Sequence, residues 1–147
     1  MQNKQDYKDE IQEIIQKIRS AKKLSEVLTP KNFAPVGGWA DKITQQIKKQ
    51  AGKYDQKTRK KFPPLKTSQL RKIFSEVKEI CQKKNEVELY LLYPKLAYAE
   101  GRDLMPSNFY ELLITCLDKL KENADKEDFK SFEQFMTAIV AYNKKYD

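Results

Sequence analysis

Apolar residues recur at helical spacing along most of the chain. The clearest stretch is 65–84, LKTSQLRKIFSEVKEICQKK. There Leu70, Ile73, Phe74, Val77, Ile80 and Cys81 fall on one stripe at 100° per residue, and Thr67 and Ser68 offer oxygens to cap the start. Upstream, Ile11, Ile14, Ile15 and Ile18 predict a first helix over 6–28, closed by Thr29-Pro30 because the residue before a proline is pushed out of the helical region. Residues 31–38, with Pro35 and Gly37-Gly38, read as a loop. A second helix over 39–53 carries Ala40, Ile43 and Ile47, with Trp39 plugging the core at its mouth.

Residues 52–64, GKYDQKTRKKFPP, have no apolar period, and Pro63-Pro64 prevents a helix, so a mobile basic loop is expected. Asn85 reads as a stop. Leu89, Leu92, Tyr93, Leu96 and Ala99 predict a helix over 86–99 or a little longer, with Pro94 either kinking it or dividing it in two. If it runs through Gly101, Lys95, Tyr98 and Arg102 share a face. Asn108 and Glu111 resemble a capping box ahead of the stripe Phe109, Leu112, Leu113, Cys116, Leu117 and Leu120. Asp125 and Asp128 open a last helix near 126–145, whose wide apolar face (Phe129, Phe132, Phe135, Met136, Ile139, Val140) suits the centre of a core. No repeat and no strand pattern appears. The expectation is an all-α fold, a compact bundle of five or six amphipathic helices in a single domain over 1–147.

Length agrees: a chain of 147 residues can bury roughly 70% of its unfolded surface. There is no apolar run of membrane-spanning length, and MQNKQDYKDE has no signal core, so a cytoplasmic protein is expected. Cys81 and Cys116 sit on apolar stripes and read as core thiols.

Charge sharpens the picture. The formal net charge is +8, from 29 basic and 21 acidic residues. Residues 41–72 hold eleven Lys or Arg and only two acids, Asp41 and Asp55. That segment alone is 11 − 2 = +9, so the remaining residues sum to −1. Such asymmetry points to a polyanionic partner. Within it lie Lys48, Lys49 and Lys53, then Lys57, Arg59, Lys60 and Lys61, flanked by Tyr54 and Phe62, which could stack on bases. On the helix over 67–84, Lys72 has Glu76 and Glu79 has Lys83 within reach. Arg71 and Lys78 have no such partner and share a flank with Ser75 and Gln82, a surface suited to a phosphate backbone.

Enzyme chemistry is poorly supplied. There is no histidine, which removes His-based acid–base catalysis and His-ligated metals. Two isolated cysteines cannot build an ordinary zinc site, and no glycine-rich phosphate loop is present. The acids Asp125, Glu127 and Asp128 stand at a helix start, where the dipole already favours them, so no metal or other cofactor is expected.

Four segments in order, TSQLRKIFSEVK (67–78), LYPKLAYAEGRD (92–103), FYELLITCLDKL (109–120) and FEQFMTAIVAYNKKY (132–146), resemble the small subunit of type III-A CRISPR effector complexes, the Csm complexes. The resemblance covers roughly 65–146. It implies a non-catalytic helical protein for antiviral defence, several copies of which stack beside the backbone and large subunits along a guide RNA paired with target RNA. By position it implies backbone contacts for Arg71, Lys95 and Arg102. Guide-directed systems leave sequence reading to base pairing, so such a subunit need only follow phosphates and shape. An unrelated basic helical adaptor for duplex DNA or an acidic protein is the alternative.

Overall fold

The computed structural model describes residues 9–83, 85–122 and 125–147; the predicted start at residue 6 and Lys84 lie outside them. Eight helices and one small hairpin occur among the described residues. Six helices are long and lie at the stretches expected, though that over Glu86–Gly101 is not amphipathic; two further helices of four residues each make the count eight rather than five or six.

The predicted first helix divides. α1 (Glu10–Ser20) is capped by Asp9, whose carboxylate accepts from the Gln12 N–H, and it buries Ile11, Ile14, Ile15 and Ile18. It stops at Ala21, whose backbone is extended and whose carbonyl accepts from Lys119 Nζ at 2.6 Å. α2 (Leu24–Val27) follows and buries Leu24. Thr29-Pro30 opens a further helix rather than only closing the previous one. Thr29 Oγ1 accepts from the Asn32 N–H, and Pro30 leads α3 (Pro30–Phe33), where its missing N–H costs nothing. α3 brings Phe33 against Phe135, ring centroids 5.4 Å apart.

α4 (Trp39–Gln50) ends three residues earlier than expected. The chain then makes a two-residue strand pair, β1 (Tyr54–Asp55) with β2 (Lys60–Lys61), antiparallel, where no strand was predicted. Strands this short carry no readable alternation; Gly52 N–H to the Phe62 carbonyl and Phe62 N–H to the Lys53 carbonyl hold their base.

α5 (Thr67–Lys83) buries Leu70, Ile73, Val77, Ile80 and Cys81, as its stripe requires. Thr67 does not serve as its cap: it is the first helical residue, and its hydroxyl bonds Asp147 and Asn143. Asn85 starts α6 (Glu86–Gly101) rather than ending α5, its side chain accepting from the Glu88 N–H at 3.1 Å. α6 runs through Pro94, which stands on its exposed side, so the helix is neither divided nor stopped there. α6 buries Leu89, Leu92, Leu96 and Ala99, yet its outward side is apolar too.

α7 (Ser107–Glu122) forms no capping box. Asn108 is buried and exchanges two hydrogen bonds with Gln50 of α4, while Glu111 reaches Gln12, Arg19 and Lys57. α8 (Lys126–Lys145) has the bounds expected, with Asp125 capping the Asp128 N–H. It packs against α2, α3, α4, α5 and α7 and supplies Phe129, Phe132, Phe135, Met136 and Ile139 to the core. Full burial of each such side chain contributes about 1.5–3 kcal/mol before the entropy of ordering it is subtracted. Cys81 and Cys116 lie in this core as free thiols. Among the described residues no helix is long and apolar enough to cross a membrane.

Candidate nucleic-acid interface

The basic segment lies across helix ends. α4 is tied to the C-terminus of α8 through Gln45 to Tyr146 and Lys48 to Asp147. It meets the N-terminus of α1 through Gln46, whose side-chain carbonyl accepts from the Ile11 N–H and whose amide donates to Asp9. It meets the N-terminus of α7 through Gln50 and Asn108. The start of α5 joins the same group, because Thr67 bonds Asn143 and Asp147 at the end of α8. The hairpin closes it: Asp55 accepts from Ser107 Oγ at 2.6 Å, and Lys60 reaches Asp103 just beyond α6. One end of the bundle therefore gathers residues that the sequence scatters.

The two acids of the basic segment are withdrawn from its surface. Asp41 is fully buried and accepts from the Gly37 N–H at 2.8 Å, from Gln45 and from the Tyr146 hydroxyl. Burial alone would raise its pKa; those hydrogen bonds outweigh it and hold the carboxyl below the usual range. Asp55 is buried as well, accepting from the Lys57 N–H and Ser107. The charge that residues 41–72 show to water is consequently all positive.

The eleven basic residues singled out from the sequence divide into two groups. Five are engaged within the chain. Lys48 pairs with Asp147 at 2.9 Å, Lys57 with Glu111 at 2.9 Å, Lys60 with Asp103 at 2.9 Å and Lys95 with Glu76 at 3.5 Å. Arg102 donates to the Tyr98 hydroxyl at 2.7 Å and lies over its ring, so Lys95, Tyr98 and Arg102 do share a face. These contacts lie at or near the surface, where such pairs contribute little and can be exchanged for another anion. Hydrogen bonding to Asp103 raises the Lys60 pKa, keeping that ammonium charged.

The other six, Lys49, Lys53, Arg59, Lys61, Arg71 and Lys78, are exposed and have no ion pair with the described residues. Arg71, Ser75, Lys78 and Gln82 are all exposed along one flank of α5, as the helical spacing requires. Lys78 lies about 16 Å up the helix from Thr67, away from the end where the other cations gather. The expected Lys72–Glu76 pair does not form, because Glu76 turns to Lys95 across the α5–α6 groove, whereas Glu79–Lys83 does form at 3.6 Å. Lys72 thus joins the unpaired cations. Arg59 sits in the left-handed region at φ 62°, the conformation that turns the hairpin.

Lys66 figures in the sequence only within the charge of the basic segment, and Lys144 and Lys145 lie outside it. Lys144 and Lys145 close α8, where a helix C-terminus favours cations, and Lys144 helps hold the Asp147 carboxyl below its ordinary range after Thr67 and Lys48. The signal available was KKYD, whose meaning depends on the fold bringing it beside Lys48.

Asp125 and Asp128 have structural work. Asp125 caps α8 and pairs with Lys23, and these contacts bring its pKa down to about 2. Asp128 is buried and accepts from the Ser25 N–H at 2.9 Å.

No curated protein and no solved structure matches the chain. The Csm2 Type III-A family matches residues 41–147. That span is wider than the resemblance read from 65–146: it takes in all but the first two residues of α4 and the basic hairpin, and leaves out α1 to α3. With nearly three quarters of its length matched, the chain belongs to the Csm2 Type III-A family, the small subunit of the type III-A CRISPR Csm complex.

Proposed function

We propose that this small subunit is a non-catalytic RNA-binding component, several copies of which line the guide RNA–target RNA duplex and hold its backbone without reading sequence. The observation that carries this reading is the one-signed surface of residues 41–72, made so by burial of Asp41 and Asp55. Lys49, Lys53, Arg59 and Lys61 form its central patch, Lys48, Lys57 and Lys60 join when phosphate displaces their carboxylate partners, and Arg71, Lys78, Lys95 and Arg102 extend it along α5 and α6. The partners are then guide and target RNA, the backbone and large subunits, and further copies of this chain, in the cytoplasm. Family membership leaves no ground for an unrelated adaptor.

The test is binding of a guide–target RNA duplex by the purified protein across a salt series. With about five phosphates contacted, log affinity should fall against log salt with a slope of about −3.5 to −4.5. Duplexes of unrelated sequence should bind alike, and labelled RNA incubated with magnesium should stay intact. Salt-independent binding, a strong sequence preference or cleavage products would overturn the proposal.

A further inference from the structure

α6 is apolar on its outward side as well as its inward one, the pattern of a helix covered on both sides. Only its inner side is covered. Val87 is 68% exposed, Tyr90 50%, Leu91 50% and Tyr98 62%. With Pro94, also exposed, they stand at i, i+3, i+4, i+7 and i+11, one unbroken stripe. Other exposed large apolar residues among those described, such as Val36 and Tyr54, are scattered singly. A contiguous apolar stripe is the mark of an interaction surface.

The charges beside the stripe specify its occupant. Glu88, Lys95 and Arg102 lie on one flank, about 60–100° from the stripe's centre at 100° per residue. Glu88 forms no ion pair with the described residues, and Arg102 has only Tyr98. Two antiparallel copies of α6, related by a two-fold axis near Pro94, bring the same flank of each against the other. Glu88 of one copy then lies within about 3 Å of level with Arg102 of the second on the shared flank, the pair repeats by symmetry about 21 Å away, and Lys95, already paired with Glu76 of its own copy, comes beside its equivalent. Tyr90 faces Tyr98 of the second copy, and Pro94 faces its own equivalent.

We propose that the free protein self-associates through this stripe as an antiparallel α6–α6 pair. This goes beyond the row of copies put forward above and concerns a separate contact. A two-fold contact closes at two copies, so this pairing belongs to the free protein and cannot by itself extend into a row.

The experiment is sedimentation equilibrium over a concentration series, with RNA binding measured in parallel. Wild type should show a monomer–dimer equilibrium. Leu91→Glu, at a half-exposed site where the fold is not at stake, should weaken it at least about tenfold. Glu88→Lys and Arg102→Glu should each weaken it, and the double variant should restore it, a repair that a different partner on this face would not give. Because Cys81 and Cys116 are buried, Pro94→Cys should be the reactive thiol and form a disulfide between copies, while Val36→Cys, exposed elsewhere on the surface, should not. A monomeric wild type at every concentration, or dimerisation unaffected by Leu91→Glu, overturns the inference. Salt-sensitive RNA binding retained in that monomer leaves the proposed function standing, whereas dimers that fail to bind RNA sink that function alone.

Discussion

Lys57 on the hairpin is held by Glu111 on α7, Nζ to Oε1 2.9 Å, and the same carboxylate also takes Arg19 at 3.1 Å and Gln12 at 2.8 Å. Burial would raise the Glu111 pKa, but these donors outweigh it and lower it. Under the proposed function, an RNA phosphate and Glu111 would compete for the same ammonium. Glu111→Gln should strengthen RNA binding about two- to fivefold while changing stability by no more than about 1 kcal/mol. Titration of RNA beside thermal unfolding checks both halves.

Reversing Arg71 and Lys78 together to glutamate tests the α5 flank. Both are exposed and unpaired among the described residues, so the melting temperature should hold within a degree or two. RNA affinity should fall, and the salt slope should become shallower by about 1.5–2. Unchanged affinity would exclude this flank from the interface.

Asp55 anchors the hairpin from beneath. Asp55→Ala removes the acceptor for the Lys57 N–H and Ser107 and should cost about 1–3 kcal/mol. It also releases the cations of 57–61 from their positions, so RNA binding should weaken even though a negative charge has been removed. Simple charge counting predicts the opposite sign, which makes the measurement decisive.

The pH dependence follows from the absent histidine and the depressed carboxylates. Asp41, Glu111, Asp125 and Asp147 all titrate lower when folded. Their contribution is fully present above the unfolded values near 4 and is lost as pH falls towards about 2, the value for Asp125. No side chain titrates ordinarily between pH 5 and 8. Thermal stability should be flat across that range and drop below about pH 4.

Burial, assisted by Glu133, raises Cys81 to about 12, and burial raises Cys116 as well. Neither thiol should react with a disulfide reagent at pH 8 in the native protein, and both should react on unfolding. Fast labelling of either before unfolding would show that the core opens locally.

The long helices were legible because amphipathic periodicity is a local property. The stripe of α8 and its cap Asp125 sufficed for its bounds. Three of the misreadings share one cause. Asn108 and Glu111 have the spacing of a capping box, but their partners lie 58 and 99 residues away in Gln50 and Gln12, and such partners leave no trace in a short window. Lys72 loses Glu76 to Lys95 for the same reason. The division between α1 and α2 falls where the Ala21 carbonyl meets Lys119, 98 residues away. Residue identity identified the basic segment, while the withdrawal of Asp41 and Asp55 beneath it required the fold.

Because α4, the hairpin and the termini of α1, α5, α6, α7 and α8 converge, the positive pole has no owner in any single stretch of chain. Fragments cut between α4 and α5 would each retain their lysines but would scatter them through a fluctuating coil, and the concentrated field would vanish until the pieces reassembled. Under the proposed function, the surface that grips a polyanion is complete only when the fold is.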